Sequence, residues 1–259
     1  MEKIIHIQHL NFKNKEEATL LSDCSVSFGT SKVYAVLGES SESKTALLNI
    51  ISGLVFAKSG KIEVNGYVPA KRKTHMLQNL FYVPEIIKVP AVSLETFELT
   101  YSFYYPNFNE SAFYSYLNDF MIDSQTKNID EMSALQKRKL MIAFGLATNA
   151  KIVLLDQPTV DFDDSSLLIL KTLLQKPVQK KKCILINGSN LHQLCGLVTD
   201  LVILAHGKVQ LSGSIEDLSN TFTGEYMTTR HLDAPEFDIH GFYQSFIIQP
   251  EKIIEAFNH

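Results

Sequence analysis

The stretch Gly38-Glu39-Ser40-Ser41-Glu42-Ser43-Lys44-Thr45 carries residue types that can hold phosphate. A phosphate-cradling loop reads G-x-x-x-x-G-K-S/T. Its glycines let backbone N–H groups wrap the anion, its lysine reaches the terminal phosphates, and its hydroxyl takes Mg²⁺. Gly38, Lys44 and Thr45 satisfy that pattern, while Ser43 stands where the second glycine belongs. By itself the stretch reads equally well as a serine-rich cap between a strand and a helix. A second grouping lies far downstream, where the apolar run Ile152-Val153-Leu154-Leu155 ends in Asp156. A carboxylate closing a buried strand is where a phosphate-loop protein sets the aspartate that orients Mg²⁺.

Elements of the right kind surround both groupings. Val33 to Leu37 is apolar throughout, as in a strand covered on both faces. Gly38 and the serine-rich turn follow it, and Thr45 to Ile51 then reads as a helix. Ile4 to Phe12 and Asp23 to Phe28 alternate as strands do, and Gly60 to Gly66 reads as a strand ending in a turn. Lys151 to Asp156, Cys183 to Ile186 and Leu201 to Leu204 are further buried strands, with helices near Ser166 to Leu174 and Asn190 to Leu197. From Ser93 to Phe120 the pattern is helical and aromatic, with Phe97, Tyr101, Phe103, Tyr104, Tyr105, Phe113 and Tyr116. Base stacking is one use for such rings, but their helical spacing points to a packed core. The alternation of strands and helices predicts an α/β fold with a mostly parallel sheet flanked by helices.

With 259 residues the chain is long enough to bury a sizeable core. Hydrophobic content of 45% and charged content of 20% exclude a disordered chain. A net charge of -4 gives no reason to expect nucleic acid as a partner, and the run Lys180-Lys181-Lys182 reads as a solvated turn before a strand. Cys24, Cys183 and Cys195 are odd in number and lack metal-ligand spacing, so they read as reduced thiols in a cytosolic protein. The N-terminal residues lack the apolar core and cleavage site of a secretory signal. No stretch approaches the roughly 20 apolar residues that cross a bilayer, so a membrane role is expected through a partner, without direct insertion.

Five stretches, in order, resemble the ATP-binding subunits of ABC-type transporters. The first is the phosphate loop. Leu154-Leu155-Asp156-Gln157-Pro158-Thr159-Val160-Asp161-Phe162-Asp163 is similar to the family's L-L-D-E-P-T-x-x-L-D. Upstream, Met132-Ser133-Ala134-Leu135-Gln136 sits where L-S-G-G-Q is expected. Downstream, Cys183-Ile184-Leu185-Ile186-Asn187-Gly188-Ser189-Asn190-Leu191 resembles I-L-I-S-T-H-x-L, and Gly207-Lys208-Val209 with Gly213 resembles the closing G-K-I…G turn. The resemblance covers residues 1 to 215 and implies a P-loop core with a β-rich N-terminal part. It also implies a helical insertion over about residues 86 to 145, with residues 216 to 259 left as a short α+β tail. The Tyr104-Tyr105-Pro106-Asn107-Phe108 stretch resembles bacterial exporter-type members.

The family's site residues carry over onto an altered set. ATP is expected against Gly38, Ser40, Ser41, Ser43, Lys44, Thr45, Ala46, Asp156 and Asp163, with Ser133 and Gln136 of the signature serving across a dimer. Mg²⁺ is expected at Thr45, Asp156 and Glu85. Ser41 and Ser43 replace loop glycines; a side chain at a left-handed backbone position costs roughly 1–2 kcal/mol, and its Cβ also crowds the phosphates. The adenine-stacking position falls at Asn14, with Phe12 nearby. Glu85 takes the place of the glutamine that links Mg²⁺ and water to the transport partner. Ala134 and Leu135 replace the signature glycines. Gln157 matches the general base, and an amide accepts no proton from water at neutral pH although it can hold that water. Ser189 matches the switch histidine. Lys44 and Asp156 equally suit a structural ion pair.

The resemblance implies a subunit on the cytoplasmic face, peripheral to the membrane, bound to a permease subunit and paired head to tail in a homo- or heterodimer. The replacements point to weak or absent hydrolysis. Two other readings stay open: an active transport ATPase with compensating changes, and a scaffold or regulatory subunit that keeps the fold without the nucleotide. Residues Glu85 to Phe103, with Pro84, Pro90, Ile86, Ile87 and Val89, suit a permease contact and equally suit a loop packed on its own domain.

Overall fold

The computed structural model describes residues 3–176, 181–188, 193, 195–222, 227–228 and 236–258. Its first strand, β1 (Lys3–Lys13), pairs antiparallel with β2 (Thr19–Gly29). Asn14 makes the turn between them, its Oδ1 accepting from the N–H groups of Glu16 and Ala18 at 3.0 and 2.9 Å. The central strand β3 (Lys32–Gly38) follows, then α1 (Ser41–Ile51) and β4 (Ser59–Val64), which closes a three-stranded sheet in the order β2-β1-β4.

Next come the short α2 (Thr74–Leu77), β5 (Leu80–Val83) and three helices in succession, α3 (Leu94–Ser102), α4 (Glu110–Asp119) and α5 (Ala134–Ala147). The chain then alternates through β6 (Ile152–Asp156), α6 (Asp164–Gln175), β7 (Cys183–Asn187), β8 (Asp200–Ala205), β9 (Lys208–Ser214) and α7 (Ile215–Thr221). A two-residue ribbon, β10 (Met227–Thr228) with β11 (Glu236–Phe237), precedes α8 (Ile239–Ile248) and α9 (Pro250–Asn258).

The main sheet has the order β5-β6-β7-β3-β8-β9, parallel except where β9 returns against β8. Every residue of β6 and β7 is buried, as strands flanked by helices require. One core cluster packs α3 to α6 and the tail helices on one side of this sheet; the other fills the space between it and the three-stranded sheet, around α1. The helices start where short polar side chains cap them: Ser40, Ser93, Asn109, Ser133 and Asp163 each accept a backbone N–H from the first turn.

The aromatic segment packs on itself. Phe144 of α5 lies 5.7 Å from Phe81, 5.2 Å from Phe97, 5.0 Å from Phe108 and 5.6 Å from Phe113, ring centre to ring centre. Two expectations change. Lys182 is not part of a solvated turn: it is buried, and its Nζ donates to Leu146 O at 3.1 Å. The next residue, Cys183, already starts β7. The helix expected over 190–197 lies mostly outside the described residues, and 195–197 form a turn. Among the described residues no helix is long and apolar enough to cross a membrane.

Candidate functional site

β3, β6 and β7 are neighbours in a parallel ladder, so Gly38, Asp156 and Asn187 emerge together at the carboxyl edge of the sheet. That edge is where open α/β sheets take their ligands. Gly38 has φ 155°, and a Cβ on it would lie 2.4 Å from Leu204 O, so this position admits glycine alone. The chain then turns through Ser40, whose Oγ accepts from Ser43 N–H at 3.1 Å and starts α1. The helix therefore begins at Ser41, earlier than the Thr45 start read from sequence.

That capping also removes the strain expected at Ser41 and Ser43. Both lie inside α1, and neither has the positive φ that would penalise a side chain. The crowding effect of an added Cβ is what remains. Ser41 is exposed on the first turn, Ser43 is buried, and Ala46 faces the core. Glu42 sits in the first turn, supplying the negative charge that a helix N-terminus favours.

Lys44 is 4% exposed, and its Nζ donates to Gly38 O at 2.5 Å. Burial lowers its pKa, and the nearby Asp156 charge works against that shift. No Lys44–Asp156 ion pair forms among the described residues, so the structural-pair reading does not hold in that form. Asp156 instead accepts three hydrogen bonds from neutral donors. Its Oδ2 accepts from Thr45 Oγ1 at 2.8 Å and Tyr82 Oη at 3.1 Å, and its Oδ1 accepts from Asn187 Nδ2 at 2.5 Å. The Tyr82 hydroxyl is held far above its ordinary range by burial and then by the Asp156 charge.

Thr45, Asp156 and Glu85 line one cavity of about 920 Å³ between α1 and the β5–α3 loop. A hydroxyl and two carboxylates are hard oxygen donors of the kind Mg²⁺ takes, so the residues fit that ion. Gln157 follows Asp156 in left-handed backbone, φ 50°, with its N–H donating to Asn187 O at 2.7 Å. Ser189 lies outside the described residues. Asn14 makes the β1–β2 turn, and Phe12 is half-buried against the smaller core.

Ser133, Gln136 and Asp163 stand outside that cavity. Ser133 and Gln136 cap the start of α5 reciprocally, Gln136 N–H to Ser133 Oγ at 3.2 Å and Ser133 N–H to Gln136 Oε1 at 3.0 Å. Asp163 caps α6 through Ser166 N–H at 2.9 Å, and its hydrogen bonds to Ser166 hold the carboxyl down at about 2.

Two residues that sequence reasoning did not single out join the site. Asn187 is one; its only signal was its place at the end of an apolar strand parallel to Asp156. Arg138, buried on α5, is the other. Its Nη2 donates to Glu85 O at 2.9 Å and its Nη1 to Gln157 O at 3.2 Å, with Val160 O at 3.5 Å. It thus ties the loop after β5 to the loop after β6. In sequence it is hidden between Lys137 and Lys139, with nothing to mark it as the buried cation of the three.

The family profile described as ABC transporter matches residues 21–160. The manganese transport system ATP-binding protein MntB of Listeria innocua is 25% identical over 89% of this chain and 97% of its own length. The energy-coupling factor transporter ATP-binding protein EcfA2 of Staphylococcus saprophyticus is 27% identical, over 89% of this chain and 86% of its own. A solved ATP-binding subunit of an ABC transporter superposes with a TM-score of 0.75 at 20% identity, covering 85% of this chain and 93% of that one.

Proposed function

The chain belongs to the ABC transporter family of ATP-binding subunits, and from that premise we propose a subunit that binds Mg-ATP weakly and hydrolyses it very slowly or not at all. The observation that carries this reading is Gln157. It follows the strand-end Asp156 with its backbone fixed to β7, and the resemblance aligns it with the glutamate that takes a proton from water in the family. An amide holds water but takes no proton from it. General base catalysis is worth about 10²–10⁴-fold, and the poorer loop subtracts further electrostatic stabilisation.

Binding still has support. The N-terminus of α1 offers its first-turn N–H groups, and Lys44 carries the charge that would meet phosphate. Thr45, Asp156 and Glu85 would hold Mg²⁺, whose role when bound is to neutralise the β- and γ-phosphate oxygens. Ser133 and Gln136 would serve the partner subunit's nucleotide in a head-to-tail homo- or heterodimer.

The partner on the membrane side is a permease. The cavity below α1 is lined by Leu54, Ile86, Tyr104, Tyr105 and Met141, and Ile86 and Tyr104 are 76% and 60% exposed. An apolar groove flanked by exposed rings suits a helix from another chain. Residues 86–145 then act as the helical part of the subunit, and 216–259 as its tail.

A scaffold reading has its own observation. The groups that would meet phosphate and cation are satisfied within the chain: Ser40 caps its own helix, Lys44 bonds Gly38, and Asp156 accepts three donors. Calorimetric titration with Mg-ATP separates the two. Micromolar binding that Lys44→Ala abolishes supports the nucleotide-binding subunit. No heat and no thermal shift at millimolar ATP overturns it in favour of the scaffold.

A further inference from the structure

Lys71, Arg72 and Lys73 follow one another in the connection between β4 and α2, and with His75 on α2 they are all exposed. No acidic residue occurs from Gly66 to Leu80, so this connection is basic on a chain whose net charge is -4. Arg72 has left-handed backbone, φ 46°, and its Nη1 donates to Gly53 O at 2.8 Å. The guanidinium is thereby held at the wall of the cavity beside α1, in one lining with Leu54, Ile86 and Tyr104. Of the two carboxylates in that lining Asp156 is buried, which leaves Glu85 as the exposed one. An apolar patch adjoins Tyr104. Leu99 and Phe103 lie one helical turn apart at the end of α3, 65% and 83% exposed, and the Phe103 ring stands edge-on to Tyr104 at 6.0 Å. Phe97 of the same helix is buried, so α3 keeps one apolar face for the core and turns a second one outward. Large apolar groups gathered on an outer face mark a binding surface.

We propose that this rim binds the surface of an anionic bilayer directly, with Lys71, Arg72 and Lys73 against the headgroups and Leu99, Phe103 and Tyr104 at the acyl boundary. The inference rests on the permease reading only for the side of the chain that turns toward the membrane. The groove alone would serve an apolar helix, and the basic run alone would serve an acidic peptide. Lysine and arginine bordering protruding rings is instead the composition of an interfacial segment. The long cations reach phosphate while the rings sit at headgroup level. Each lysine or arginine near an anionic surface strengthens partition about fivefold, and the rings add the apolar share. Such attachment is reversible and needs no helix that crosses the bilayer; the described residues contain none.

The test is co-sedimentation of the full chain with protein-free vesicles of phosphatidylcholine, alone or with about 30 mol% phosphatidylglycerol. The chain is expected to partition about tenfold or more strongly onto the anionic vesicles, and to leave them as salt is raised to about 0.5 M. Lys71→Gln with Lys73→Gln is expected to weaken that partition about 30-fold, and Phe103→Ser about tenfold. The substituted side chains are exposed, so both variants should keep the thermal midpoint of the parent. Equal partition onto neutral and anionic vesicles overturns the proposal, as does a double lysine variant that partitions like its parent. Binding that salt leaves unchanged overturns it without any variant. A chain that sediments with neither kind of vesicle overturns it in favour of a protein partner at this rim. Because the vesicles carry no protein and the assay no nucleotide, each of these failures leaves the ATP-binding subunit to its own titration.

Discussion

Arg138 and Lys182 are buried cations whose bonds run to backbone carbonyls, and each makes a prediction at the scale of one residue. Arg138 holds Glu85 O and Gln157 O, so Arg138→Met removes both donors and leaves the buried Gln157 carbonyl without its cation. A loss of about 2–3 kcal/mol is expected, read as a lower urea midpoint at unchanged slope; an unchanged midpoint contradicts the clasp. Lys182 has its pKa pushed down to about 8 by burial, against an ordinary 10.5. Above about pH 8 the unfolded chain binds the extra proton, so the folded state gains stability as pH rises toward 10.5. The gain is roughly 3 kcal/mol across that window. Comparing denaturation midpoints with Lys182→Met should show this slope in the parent and its loss in the variant.

What could be read beforehand at this scale was residue type at motif positions: Gly38, Lys44, Thr45 and Asp156 all reach the same edge of the sheet. Backbone conformation was less accessible. Ser41 and Ser43 were expected in left-handed backbone because glycines are usual there, yet the Ser40 cap places both in ordinary helix. Asn187 and Arg138 went unremarked because their importance comes from tertiary neighbours, far away along the chain.

At the scale of elements, α5 is the hinge point of the packing. Phe144 meets rings from β5, from α3, from the loop after α3 and from α4. Phe144→Ala should cost about 3–5 kcal/mol, measured by denaturant titration. Next to it, a Cβ on Gly145 would approach the Phe81 ring within 2.5 Å. Gly145→Val should therefore destabilise by about 1–3 kcal/mol through overpacking of α5 on β5, and a neutral result would contradict that close approach. Elements with an uninterrupted apolar run, such as β6 and β7, were legible because burial on both faces leaves few other choices. The start of β2 and the first turn of α1 were not, since polar residues there are fixed by pairing and capping that apolar periodicity does not register.

For the whole molecule, sheet order decides what the site is. The parallel ladder brings the phosphate loop, Asp156 and Gln157 to one edge, and leaves Ser133, Gln136 and Asp163 capping helices outside that cavity. On the proposed reading, a site divided in that way is completed by a second subunit. On that reading its chemistry rests on groups that bind and position, with the Gln157 amide standing at the position of the family's general base. The direct measurement is ATP turnover by the purified chain over hours, at saturating Mg-ATP, beside an ordinary family member. A rate about 100-fold or more below that member is the expected result. A rate within about tenfold would contradict the account, because Gln157 could not then be a residue that ends the chemistry.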